Sequence, residues 1–204
     1  MSFLLEMIGT IAFAISGACL AARKKMDVLG VIMMGLVTAT GGGAIRDVLL
    51  GIHPPAVFVH PVYAIVAMLI SLLVFIPRLE QRFERRSSIE DVIYTNMDSV
   101  GLAVFTVSGA STVVDTVSEP TPFLILFIGV ITGVGGGILR DLFAGEQPYI
   151  FKKHFYASAS IIGAAVYVLL YQVWPEDVTM ALSAILIIVL RHIAYHKKWN
   201  LPHC

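Results

Sequence analysis

The chain has 204 residues, of which 57% are apolar and 14% charged, and its 14 basic side chains balance 14 acidic ones. Ordinary soluble domains are about 45–50% apolar with about a quarter of their residues charged, so a soluble domain, a disordered chain and a coiled coil are all excluded. The same scarcity of charged side chains excludes a nucleic-acid binder with a basic face.

Bilayer thickness requires about 20 mostly apolar residues per spanning helix. Seven stretches meet this, roughly 3–22, 28–50, 60–77, 92–114, 121–143, 155–173 and 178–195. The first carries Glu6 and lacks a basic leader region, so it reads as a span and not a cleaved signal. The seventh ends in Arg191 and His192, which are expected to snorkel to the interface. The only sizeable connector is 78–91, with four Arg and four acids, a solvated loop or helical extension. Cys19 lies within an apolar run and Cys204 ends the chain, so no disulfide or metal spacing arises. His53, His60, His154 and His192 have no ligand spacing and read as surface or packing residues, and no nucleophile–base pair supports catalysis.

The chain repeats internally. Gly9, Phe13, Ser16, Gly17 and Ala18 recur 92 residues later as Gly101, Phe105, Ser108, Gly109 and Ala110. At a spacing of 94, Gly41-Gly42-Gly43-Ala44-Ile45-Arg46-Asp47 recurs as Gly135-Gly136-Gly137-Ile138-Leu139-Arg140-Asp141, with Gly51 and Pro54 recurring as Gly145 and Pro148. The units are 1–77 and 92–175, joined by the charged linker 78–91 and followed by a seventh helix and short tail, 176–204. A repeat of three spans re-enters the membrane from the opposite face, giving an inverted repeat about an axis in the membrane plane. With the N-terminus on side A, 12 of the 14 basic residues fall on side B, whereas the side A connectors carry Asp115, Glu119, Glu176 and Asp177. The positive-inside rule then puts the N-terminus outside and the C-terminus in the cytoplasm.

The other two basic residues, Arg46 and Arg140, belong to the repeated motif. Three consecutive glycines predict a kink or a short unwound segment near mid-membrane, which survives only where protein or a wet cavity satisfies the backbone. Packing alone explains one copy equally well. Recurrence of Gly, Arg and Asp at one seven-residue spacing tips the reading to a pathway. A dinucleotide-binding reading fails, because no strand precedes the glycines.

Glu6 and Asp98 are repeat mates, and topology brings Glu6 to Arg46 and Asp47 on side A, and Asp98 to Arg140 and Asp141 on side B. Two acid–arginine clusters are therefore expected, one at each mouth, either as gates or as static locks. Ser16 and Ser108 lie about 15 Å along their helices from Glu6 and Asp98. With Thr38 and Thr132 they form the lining of a narrow polar path, unless each hydroxyl bonds its own helix backbone.

On the duplicated Gly-Gly-Gly-x-x-Arg-Asp within a three-plus-three-plus-one plan, covering about residues 3–195, the chain resembles the prokaryotic branch of the trimeric intracellular cation (TRIC) channel family. The resemblance implies an all-helical homotrimer in the lipid bilayer of a bacterial or archaeal plasma membrane. Each protomer would have its own pore for K⁺ or Na⁺, with no cofactor. Residues 41–43 with 46–47, and 135–137 with 140–141, would be its kink and mouth positions. Animal members carry Lys-Glu-Val after the first triple glycine and extend further at the C-terminus. Ala44-Ile45-Arg46 stands there in this chain, so the phosphoinositide binding tied to that motif is not expected. The same domain is labelled a glycine transporter in bacteria, which makes a secondary transporter of glycine or another small amino acid the alternative function.

Overall fold

The computed structural model describes residues 2–80, 87–152, 155–197 and 199. These form helices α1 (Ser2–Arg23), α2 (Val28–Leu49), α3 (Ala56–Val59), α4 (Val62–Glu80), α5 (Ser87–Thr116), α6 (Pro122–Phe143), α7 (Tyr149–Lys152), α8 (Tyr156–Leu170) and α9 (Glu176–Lys197), with no strand among them.

The repeat is visible first in how the helices begin and end. Asp27 caps α2 by accepting from the Gly30 N–H at 2.7 Å, and Thr121, its mate 94 residues on, caps α6 through the Leu124 N–H at 3.2 Å. Both helices close with the same paired bonds. Ile52 N donates to Asp47 O and Gly51 N to Val48 O, while Glu146 N donates to Asp141 O and Gly145 N to Leu142 O. This Schellman ending needs a left-handed residue, and Gly51 and Gly145 supply it with φ of 70° and 68°. Each helix then leads through a Pro-containing turn into a four-residue helix, α3 or α7.

Helices α1, α2 and α4 pack on one another, as do α5, α6 and α8. The two groups meet along α1/α5 and α2/α6, and α9 closes over α5 and α8. Repeat mates touch at this seam: the Phe13 and Phe105 rings stack with centroids 5.3 Å apart. Each ring fills the space beside a glycine of the other's helix, Phe13 against Gly101 and Phe105 against Gly9. Small residues permit this approach where no water drives association.

One expectation changes. The triple glycines do not unwind: α2 and α6 are α-helical throughout. The missing side chains are filled by the neighbouring backbone, since a Cβ on Gly42 would collide with the Thr132 carbonyl and one on Gly136 with the Thr38 carbonyl. The glycines thus serve a crossing of two intact helices at backbone contact. Among the described residues, five helices, α1, α2, α5, α6 and α9, are long and apolar enough by length and composition to cross a membrane, and the other two apolar helices, within α4 and α8, are shorter. α8 has 15 residues, about 22 Å, bounded by Phe155 in a left-handed conformation (φ 55°) and a turn before Pro175, and the apolar part of α4 is Val62–Ile76. The linker at 78–91 is helical at 78–80 and 87–91, and residues 81–86 lie outside the described residues, as do Lys153, His154, Lys198 and Cys204.

Candidate functional site

The charges that a bilayer would exclude are gathered into two clusters at the ends of α2 and α6. In each, adjacent Arg and Asp side chains pair at the last turn of the helix. Arg46 Nε and Arg140 Nε donate to Oδ1 of Asp47 and Asp141 at 2.8 and 2.9 Å, and the second guanidinium nitrogens lie 2.8 Å from the same oxygens. The other carboxylate oxygen takes a backbone N–H at the start of the short helix that follows, Ala56 for Asp47 at 2.7 Å and Tyr149 for Asp141 at 2.8 Å. The aspartate therefore ties its arginine to the turn that ends the helix.

The helix preceding each pair supplies a further acid. Asp98 of α5 accepts a short, charge-assisted bond from Arg140 NH1, and Glu6 of α1 lies 3.9 Å from Arg46 NH1. The opposite repeat supplies a serine. Arg140 NH1 donates to Ser16 Oγ at 2.7 Å, and Ser108 Oγ donates to Glu6 Oε1 at 2.7 Å. Each cluster thus joins both triplets of helices, and the structure brings together Glu6, Arg46, Asp47 and Ser108 at one, and Asp98, Arg140, Asp141 and Ser16 at the other.

Thr38 and Thr132 do not join them. Each hydroxyl bonds its own helix, to Met34 O and Ile128 O at 2.6 Å, and each is wedged against a glycine of the neighbouring helix, Gly17 or Gly109. The expected polar lining at these positions is replaced by helix packing. Of the motif glycines, Gly41 lies against Leu139, Gly42, Gly135 and Gly136 sit in the α2/α6 crossing, and Gly137 packs against the Tyr156 hydroxyl. Among the described residues, a Cβ on Gly43 would meet just the Arg46 guanidinium, at 4.0 Å.

The clusters differ in burial, and the cause is α9. Arg191 was expected to snorkel outward; instead it turns inward, with NH2 3.6 Å from Asp98 Oδ2 and its guanidinium over the Tyr156 ring at 4.7 Å. The hydropathy pattern gives no sign of this, because an arginine at a span's end satisfies either orientation. Aromatic rings complete the enclosure, with Tyr94 and Tyr149 at 4.9 and 5.8 Å from the Arg140 guanidinium carbon. Arg140 is fully buried, at 0% exposure. With both acids ionised, two arginines and two aspartates balance there, whereas Arg46, Asp47 and Glu6 sum to one negative charge.

The Glu6–Arg46 cluster faces a cavity of about 50 Å³ that reaches Thr10, Ala39, Thr40, Gly43, Tyr63 and Phe105. Beyond the Arg140 cluster, a basin of about 440 Å³ is lined by Leu20, Arg23, Lys24, Tyr94, Glu146, Gln147 and Tyr149. Ion pairs Lys24–Glu146 and Arg23–Asp91, both at 2.8 Å, lie on this side. Tyr94 and Tyr149 line the basin and also stack on Arg140, so these rings separate basin from cluster. Among the described residues no group of three or more His, Cys, Asp or Glu is placed to hold a metal ion.

Comparison with known proteins agrees with this architecture. The family model described as glycine transporter matches residues 3–78 and 95–172, one match for each triplet of helices. The UPF0126 inner membrane protein YadS of Escherichia coli is 37% identical over 201 residues, covering 97% of this chain and 93% of that protein. A structure solved to explain conductance through TRIC cation channels superposes with a TM-score of 0.85 at 37% identity, covering 98% of this chain and 96% of that one. The TRIC trimeric intracellular cation channel orthologue from Rhodobacter sphaeroides gives 0.88 at 31% identity, covering 97% and 98%. The chain is a multi-pass membrane protein. Its paired helix-end motifs, its two matched triplets and these likenesses make it a member of the prokaryotic TRIC family, for which the glycine transporter model is the sequence signature.

Proposed function

We propose that the protein is a channel for monovalent cations, K⁺ or Na⁺, with a path inside each protomer between α1–α2 and α5–α6. The observation that carries this reading is the pairing of an open and a sealed mouth on one axis of repeat symmetry. A cavity reaches Gly43 past the Glu6–Arg46 cluster, and a basin approaches from the other side as far as Tyr94 and Tyr149. Between them stand the Arg140 cluster and the stacked Phe13 and Phe105. An unpaired arginine at a mouth would repel cations, but both motif arginines are held by acids, and the open mouth retains a net negative charge. The Arg140 cluster is then the gate, and release of Arg140 from Ser16 and Asp98 would join basin to cavity.

The membrane arrangement belongs to the same proposal. The spans are α1, α2, α4, α5, α6, α8 and α9, with 1–77 and 92–175 as inverted repeats, the N-terminus outside and the C-terminus in the cytoplasm of a cell with this protein in its inner membrane. The basic basin and the Arg140 cluster then face the cytoplasm, in keeping with the positive-inside rule. The assembly is a homotrimer, as the name of the Rhodobacter relative implies.

A second reading is supported by one specific feature. A site open on one side and sealed on the other is also what alternating access requires, and the matching family model is described as a glycine transporter. Proteoliposomes loaded with K⁺ separate the two. Passive K⁺ efflux down its gradient, unaffected by glycine, supports the channel. Saturable glycine counterflow without K⁺ efflux overturns it in favour of the transporter.

A further inference from the structure

The last turns of α9 carry a pair of histidines that the reading above leaves unused. His192 and His196 are four residues apart, on one face of the helix, and both rings are exposed. Their Nε2 atoms lie 3.0 Å apart, with ring centroids 4.4 Å apart. Two imidazolium rings cannot make this contact, because each Nε2 would then carry a proton. One Nε2 must donate and the other accept, so the pair shares a single proton between two nitrogens that point at each other.

The same geometry suits a metal. Two metal–nitrogen bonds of about 2.0–2.1 Å, opened by 90° to 109°, put the nitrogens about 2.8–3.4 Å apart. With both rings neutral and each carrying its one proton on Nδ1, an ion between the Nε2 atoms would meet two lone pairs with little ring movement. The site is also open on its other side. His192 and His196 line a groove of about 290 Å³ between α5 and α9, together with Thr95, Asn96, Ser99 and Arg191. The groove has room for water molecules to fill the remaining coordination positions, and Asn96, Thr95 and Ser99 bring oxygen atoms to its wall.

We propose that His192 and His196 bind one divalent transition-metal ion of the Zn²⁺ or Ni²⁺ class per chain. The groove is also lined by Arg191, whose guanidinium is paired with Asp98 of the sealed cluster. A divalent ion in the groove repels that guanidinium toward Asp98, so the bound metal favours the sealed state. This second step rests on the channel reading, whereas binding itself does not.

The test uses the full-length chain, purified in detergent with any affinity tag removed and titrated with ZnCl₂ or NiCl₂ by calorimetry. Saturable binding of one ion per chain in the micromolar range is expected, with proton release that grows as pH falls through the imidazole range. His192→Gln and His196→Gln, each checked for an unchanged gel-filtration profile, should each lose more than the roughly ten- to hundred-fold in affinity that outer-shell changes cost. Absence of saturable binding overturns the site, as does binding that survives both substitutions. Flux measured in liposomes with the metal on the α9-terminal side tests the coupling separately. Slower K⁺ efflux in the wild-type protein and no response in His196→Gln supports it. Metal binding without any effect on a measurable flux overturns the coupling and leaves the site standing.

Discussion

Gly42 meets the carbonyl oxygen of Thr132 so closely that a Cβ on Gly42 would overlap it, and the repeat-related contact of Gly136 with the Thr38 carbonyl is the same. The atoms in the way are backbone of the opposite helix, which cannot rotate aside. Gly42→Ala and Gly136→Ala are therefore expected to force α2 and α6 apart, costing about 1–3 kcal/mol or more as overpacking. Gly43→Ala one position on meets only the tip of Arg46 at 4.0 Å and should be neutral or gain about 0.5–1 kcal/mol from helix propensity. Thermal unfolding of the three variants in detergent checks the contrast.

The two arginine clusters should respond unequally to the same substitution. Arg140 is completely enclosed and its removal takes the paired cation from both Asp98 and Asp141, leaving Arg191 beside Asp98. Arg140→Gln is expected to cost about 3–5 kcal/mol, as breaking a buried ion pair does. Arg46→Gln, beside the half-buried Glu6 and the open cavity, should cost less, because water can reach the carboxylates left behind. Equal losses in the two variants, measured as unfolding midpoints in one detergent, would contradict the assignment of one sealed and one open cluster.

Much of this site is legible in the residues. The duplicated motif names Arg46, Asp47, Arg140 and Asp141, and the 92-residue spacing names Glu6 and Asp98 as their partners. What is not legible depends on side-chain direction. Thr38 and Thr132 carry the right chemistry for a polar lining but bond back to their own helices, and Arg191 turns toward Asp98 although its position at a span's end allows either orientation. The triple glycine suggests unwinding when α2 is considered alone. It forms an intact helix because a second intact helix with the same glycines lies against it. His196 lies four residues beyond His192, and that spacing was a signal available in the sequence.

Tyr94 stands between the basin and Arg140, and its hydroxyl has no hydrogen-bond partner among the described residues. Tyr94→Phe should therefore leave stability within about 0.5 kcal/mol of the wild type, as for substitutions that break no contact. Tyr94→Ala removes the ring and opens the basin of about 440 Å³ toward the cluster, so K⁺ efflux from liposomes should rise severalfold. An unchanged efflux in Tyr94→Ala, with the protein folded, would mean that the ring is not a barrier.

Ser16 accepts from Arg140 across the two triplets of helices. A hydrogen bond to a charged group contributes about 1.5–3 kcal/mol, so Ser16→Ala should weaken the sealed state and raise the fraction of time the path is open. Ser108→Ala acts at the other mouth, where it releases Glu6 and leaves Arg140 untouched, and should change open probability little. Recordings of open probability in the two variants separate a gate at Arg140 from a passive lock at both ends.

Single-channel recording of the purified protein in planar bilayers, with unequal KCl on the two sides, measures the proposed function most directly. Discrete current steps are expected, with a reversal potential close to the K⁺ equilibrium value and longer openings in Ser16→Ala. A membrane that carries the protein and supports glycine exchange, yet gives no resolvable steps in either variant, would contradict a conducting path between the repeats.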